Sequence, residues 1–339
     1  MTKKTITLAA GVTAGMLLAG SALAADYNWK WQTSAQTGDN FWPYEVAFTK
    51  NIEAMSKGRI SIELLPQNAV VAYNETLDAI KANILQGHIT GPNYFSGKDA
   101  VFAMAGDLTA AWESPRDVQM FFEYGGGNEI YRDVLAKYGA YLLGAGAIGG
   151  PESIPCRKPV RNIADFKGIK MRLPEGLPHK VFADIGVAPV NLPGSEAFTA
   201  LERGVIDCTD YSMFSTNQKT GYHRFAKYPI YPGFHSVPTV EVSLNLEVWK
   251  GLPDDLKAVV LTATRDALRD WPDRMEMNDL KAVAEAKAEG VEIVSWSPEE
   301  KKKFRQIAQK HWAELASKSP DAKRLYEAIV AFLKNMNKL

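Results

Sequence analysis

The segment 168–214, GIKMRLPEGLPHKVFADIGVAPVNLPGSEAFTALERGVIDCTDYSMF, limits the fold of this chain more than any other. A short β-type run ends at Arg172, and two helical patterns follow, closed by Gly186 and Gly204. A second β-type run, 205–209, leads into Asp210, Tyr211 and Ser212. Strand, helix, helix and strand in this order call for a sheet with helices packed on it. Ligands of such sheets bind beyond the carboxyl ends of the strands. The segment therefore sets one permanent cation, Arg172, and one carboxylate, Asp210, where a small molecule can bind. The guanidinium is a planar fork that meets a carboxylate with two parallel hydrogen bonds.

The same α/β rhythm runs through the rest of the chain. Residues 28–34 alternate as a strand, with Trp29 and Trp31 on one face. A helix is expected over 41–57, with Pro43 near its start and Gly58 past its end. A strand at 60–65, a helix from Asn74 to near Gly87, and a strand-like piece at 89–91 lead into the Asn93-Tyr94-Phe95 loop. Ser114-Pro115 is a helix start; its pattern breaks at the glycines 125–127, resumes over 129–137, and a strand follows at 141–143. Residues 237–246 alternate apolar and polar side chains and are expected to rejoin the first part of the chain. A long helical pattern from Asp254 ends at Gly290, and Pro272 within it is expected to kink or split it. Ser297-Pro298-Glu299-Glu300 reads as a capping box, before a helix with Phe304, Ile307, Ala308, Trp312 and Leu315 on one face. The expectation is a mixed α/β protein of two lobes. The first takes 25–148 with 238–260, and the second takes 149–237. A long helix over 254–290 spans both, and a helical segment, 291–339, packs on them.

A length of 339 residues suits about two domains. The 39 basic and 39 acidic residues balance, so nothing points to nucleic acid or an anionic membrane surface as partner. Lys3 and Lys4, an apolar run over 6–18, and Ala22-Leu23-Ala24 read as a signal peptide over 1–24. Its apolar run is shorter than the ~20 residues that span a bilayer, so the expected destination is the periplasm. Export permits a Cys156–Cys208 disulfide; two buried thiols are the other reading. Gly144, Gly146 and Gly149 form a G-x-G-x-x-G, but Gly150-Pro151 and Pro155 follow, leaving no helix to hold a pyrophosphate. A crossing between lobes is the better reading. None of the five histidines is spaced with another as a metal pair; His235, in PGFHSVP, stands at an expected crossing.

The motifs in order resemble the solute receptors of tripartite ATP-independent periplasmic (TRAP) transporters. They are GRISIELL (58–65), NYFSGK (93–98), KMR (170–172), PVNLPGSEAFTALERGVID (189–207) followed by the acidic-aromatic pair Asp210-Tyr211, YPIYPG (228–233) and VWKGLP (248–253). The resemblance implies a type II-like periplasmic binding protein of two lobes, with crossing strands and a long interdomain helix. It implies a non-enzymatic receptor for a small 2-oxo or 2-hydroxy carboxylate, or an aromatic one. The ligand would pass to a membrane permease, and the receptor would be a monomer or homodimer. Arg172 would clamp the ligand carboxylate. In the metal-using subgroup a glutamate holds the ion at the position of Asp210, helped by the next carbonyl, here that of Tyr211. Aspartate is shorter but is still a hard oxygen ligand. The subgroup's glutamine near 151–152 is absent, and Glu152 stands there. Glu152, Asp210 and Tyr211 are thus the expected ligands of a sodium or calcium ion, with no other cofactor required. Trp42, Asn93, Tyr94, Phe234 and His235 are the remaining expected cleft residues. The competing class is a secreted metal-assisted hydrolase, for which no His or Cys constellation is present.

Overall fold

The computed structural model describes residues 25–339, apart from Glu175 and Pro193. The expected signal peptide lies outside the described residues. In chain order come β1 (Tyr27–Thr33), α1 (Trp42–Met55), β2 (Ile60–Leu65), α2 (Thr76–Lys81), β3 (Gly87–Thr90), α3 (Ala100–Gly106), α4 (Pro115–Tyr124), α5 (Gly127–Lys137) and β4 (Ala140–Ala147). Then follow β5 (Lys170–Arg172), α6 (Leu177–Asp184), β6 (Ala188–Val190), α7 (Gly194–Glu202), β7 (Cys208–Thr209) and α8 (Phe214–Thr220). The last part holds β8 (Thr239–Asn245), α9 (Leu246–Gly251), α10 (Asp254–Ala288), α11 (Pro298–Ala316) and α12 (Pro320–Asn335).

Two sheets organise these elements, in the orders β2-β1-β3-β8-β4 and β6-β5-β7. In the first, β1 is parallel to β2 and β3, while β8 runs antiparallel to both β3 and β4. Trp29 and Trp31 share a buried face of β1 and stack, as their period-2 spacing requires. β8 reads TVEVSLN, yet all seven residues are buried. Its polar face is not solvated, because Glu241 meets His88 Nε2 at 2.8 Å and also accepts from the Tyr131 hydroxyl. The second sheet is all parallel, with Arg172 opposite Val190 and Thr209. Parallel strands joined through α6 and α7 put every carboxyl end on the same edge.

Several local expectations need correction. α2 ends at Lys81 rather than near Gly87, because Asn83 takes a left-handed turn and Gly87 is the first residue of β3. β4 is longer than the 141–143 piece, and its glycines admit α10. A Cβ on Gly144 would stand 3.0 Å from Leu268 Cδ1 and 3.2 Å from Thr264 Cγ2. α10 runs through Pro272 as one 35-residue helix, about 52 Å long. Packing outweighs the lost hydrogen bond, since Leu268, Trp271, Pro272 and Met275 are all buried. Half of the capping box forms: Ser297 accepts from Glu300 N–H, while the Glu300 carboxylate turns to Ile163 N–H and Lys303. α11 buries Phe304, Ala308 and Trp312 as its periodicity predicts. Cys156 and Cys208 are bonded to each other, both fully buried, across an antiparallel bridge.

Candidate functional site

Arg172 is the last residue of β5, and Asp210 follows directly on β7. Asp210 N–H donates to Arg172 O at 3.0 Å, so the two strand ends are registered to each other. The Arg172 side chain returns over that edge. Its Nε donates to Leu192 O at 3.0 Å and its Nη1 to Asp210 O at 2.5 Å. Among the described residues its Nη2 has no hydrogen-bond partner, and it lies beside Gly194 with the Tyr211 ring. Backbone carbonyls thus hold the guanidinium plane while one edge remains for an anion.

Two crossing segments add the rest. Glu152 and His235 come from antiparallel passes between the sheets, tied by Glu152 N–H to Ser236 O at 3.0 Å. Gly233 makes that approach feasible, since a Cβ there would stand 1.8 Å from Glu152 O. One ligand atom each from Glu152, Asp210 and His235 lies within 4.8 Å of the other two. Asp210 and His235 are buried, and Glu152 is half-buried. His235 Nε2 is 3.2 Å from Asp210 Oδ1. The rings of Phe182 and Phe234 flank the imidazole.

Crowded carboxyls shift one another here. Burial, then Asp210 and Asp107, push the Glu152 carboxyl well above the usual range. Burial also opposes charge on Asp210, but His235 and Arg172 outweigh it and hold Asp210 below its ordinary value. One proton therefore belongs on Glu152 rather than Asp210. Asp107, at the end of α3, is raised by burial to about 7 and accepts from the Ser236 hydroxyl at 2.8 Å.

The other expected residues divide. Asn93 and Asp107 line a cavity of about 380 Å³ between α3, α6 and α11. Tyr94 is partly exposed and packs edge-on against Tyr73. Tyr211 packs on Tyr222 beside Arg172. Trp42 opens α1, half-buried, and among the described residues no hydrogen bond or ring contact joins it to the cluster. Phe234 is mainly a core residue, stacked on Trp296 at 4.0 Å and set edge-on to Phe304. Sequence reading missed Asp107 and the buried Glu45, which carry no motif. Glu45 lies in the first turn of α1, raised by burial to about 8.

The profile of the bacterial extracellular solute-binding proteins, family 7 (DctP), matches residues 38–319. A monocarboxylate 2-oxoacid-binding periplasmic protein of Nostoc sp. is 28% identical over 85% of this chain and 79% of its own. A TRAP periplasmic solute binding protein of Rhodobacter sphaeroides, solved in an apo open form, is 39% identical. It superposes with a TM-score of 0.85 over 92% of this chain and 99% of its own. A TRAP periplasmic solute binding protein of Colwellia psychrerythraea, solved with calcium and pyruvate, shares the fold at 23% identity and a TM-score of 0.77, over 92% and 95% of the two chains. Among the described residues no helix is long and apolar enough to cross a membrane. The chain belongs to the family 7 extracellular solute-binding proteins, the two-lobed, non-enzymatic periplasmic receptors of TRAP transporters.

Proposed function

We propose that this receptor binds a small 2-oxo or 2-hydroxy monocarboxylate between its lobes, together with a cation, and delivers it to a membrane permease. The observation that carries this reading is the convergence of Arg172 with Glu152, Asp210 and His235 at one sheet edge. A ligand carboxylate beside Asp210 needs a positive charge between the two. Arg172 supplies one, and an ion held by Glu152, Asp210 and the Tyr211 carbonyl supplies the other. The buried Asp210 Oδ1, which has no hydrogen-bond partner, suits such an ion. The ion would neutralise the carboxylates and grip the ligand's 2-oxygen. The 2-oxoacid relative from Nostoc and the calcium–pyruvate structure from Colwellia support the same ligand class.

The lobes are taken as 25–148 with 238–260, and 149–237, spanned by the helix 254–290 and backed by 291–339. On this division Asn40 Nδ2 to Thr216 Oγ1 at 3.4 Å and Lys219 Nζ to Asn40 Oδ1 at 3.3 Å would join the two lobes. Such contacts would form on hinge closure over a ligand. Calorimetry with pyruvate, lactate, longer 2-oxo acids and an aromatic 2-carboxylate tests the reading. At least one should bind in the micromolar range or tighter, with one ligand per chain. Uniform failure of these acids, with binding of an uncharged solute instead, would sink it.

A further inference from the structure

We propose that the cavity between α3, α6 and α11 receives the tail of the bound acid and selects 2-oxo or 2-hydroxy acids with a longer aliphatic chain over three-carbon ones. The inference rests on the carboxylate reading above and names which acids that site prefers. Ala103 of α3, Leu177 of α6 and Leu315 of α11 become the residues that set the preference.

Pro174 lines the cavity and stands two residues past Arg172, so at most ~7 Å separates their Cα atoms. Asp107 lines it too and accepts from the Ser236 hydroxyl at 2.8 Å, while Ser236 O accepts from Glu152 N–H. The cavity thus begins where the segments carrying Arg172, Glu152 and His235 meet. Its volume is about 380 Å³, and ligand sites span roughly 300–1,000 Å³. A three-carbon acid held at Arg172 and Asp210 would leave that space to water.

The walls decide what kind of tail fits. Ala100 and Ala103 line the α3 side, Leu177 and Pro178 the α6 side, and Leu315 the α11 side. Among the described residues lining the cavity the only aromatic ring is that of His311, and its Nε2 meets Asp184 at 2.8 Å. An aryl tail finds no free ring to stack on, whereas a saturated chain finds saturated walls. Charges at the rim engage one another: Lys180 pairs with Glu314 at 2.5 Å, and His311 with Asp184. Lys318 has no ion pair among the described residues, but it is exposed to water, where a charge gains little. A second carboxylate on the tail therefore meets no desolvated cation. α3 belongs to the first proposed lobe and α6 to the second, so closure would bring the walls together and take the chain out of water. Each methylene buried in this way gains about fourfold in affinity.

The test is calorimetry on the mature protein, with sodium and calcium present, across pyruvate, 2-oxopentanoate, 4-methyl-2-oxopentanoate, 2-oxoglutarate and phenylpyruvate. 2-Oxopentanoate and 4-methyl-2-oxopentanoate, with two and three more carbons than pyruvate, should bind about fifteen- and sixtyfold more tightly than it does. Nuclear Overhauser contacts should join the terminal methyls of bound 4-methyl-2-oxopentanoate to Leu177 and Leu315. Ala103→Phe fills the space, so it should cut the preference for 4-methyl-2-oxopentanoate over pyruvate by about tenfold or more. The wild-type series gives its answer whether or not this variant folds. Pyruvate bound as tightly as the longer acids overturns the proposal while leaving the carboxylate reading intact. So does tighter binding of 2-oxoglutarate or phenylpyruvate than of 4-methyl-2-oxopentanoate, or a bound tail without contacts to Leu177 and Leu315. Failure of every acid removes the carboxylate reading, and the proposal with it.

Discussion

Replacing the disulfide as a pair, Cys156→Ala with Cys208→Ala, should both destabilise the protein and loosen the site. The bridge closes a loop of 52 residues. The chain-entropy relation for that length gives about 4 kcal/mol. Alanine avoids burying a hydroxyl where both half-cystines have no exposure. Two lobes can unfold in separate steps, so scanning calorimetry is the assay, with circular dichroism to confirm the native fold at low temperature. At about 4–8 °C per kcal/mol for a unit of under 100 residues, the transition of the β5–β7 lobe should fall by roughly 16–32 °C. Cys208 precedes Asp210 by two residues, and Cys156 follows Glu152 by four. The bridge thus braces the two segments that carry the carboxylates, and ligand affinity below the transition should drop about tenfold or more. A shift under about 2 °C with unchanged affinity would refute both the loop-closure magnitude and the bracing role.

Arg172→Met should weaken carboxylate binding by roughly a hundred- to a thousandfold without unfolding. Arg172→Lys should also bind poorly, as an ammonium lacks the fork; calorimetry reads both. Gly233→Ala should retain helical circular dichroism yet lose ligand binding, because the new Cβ displaces Glu152 O from 1.8 Å. Glu45 has a folded-state pKa of about 8 against an ordinary 4.5. Folding therefore favours its protonated form. Its contribution is fully present below about pH 4.5 and is lost as pH rises through 8, by up to roughly 5 kcal/mol. Glu45→Gln should flatten that decline in chemical denaturation and exceed the wild type in stability at pH 9; parallel pH profiles would contradict this.

Legibility in the sequence followed the range of the interactions. Arg172 and Asp210 were readable because a strand end and its neighbour obey a local period, and the structure registers them by one backbone bond. Ser114 and Ser297 cap their helices as their spacing predicts. Phe234 was read as a cleft residue because it lies in a loop, but Trp296, far along the chain, covers it. Asp107 and Glu45 left no trace, since an isolated acid becomes special only when distant segments bury it. His235 was visible as a candidate contact, whereas its convergence with Asp210 depends on how two crossing segments fold together. Pro272 misled for the opposite reason: the local rule is sound, but the packing on both sides overrules it.

That proline also bears on mechanics. On its N-terminal side, α10 is seated on β4 through Leu268; on its C-terminal side, Asp279 Oδ1 accepts from Ser215 N–H of α8 at 2.7 Å. The one turn lacking a backbone donor thus separates two clamps, each gripping a different sheet's helices and strands. Such a rod bends most easily at its notch. The arm beyond Pro272 is about 24 Å long, so each degree of flexure sweeps its tip by about 0.4 Å. At Asp279, about 10 Å past the notch, a few degrees shift α8, and the Thr216 and Lys219 contacts it carries, by roughly half an ångström. A rod of this form would couple the two sheets through the stiffness of a single turn.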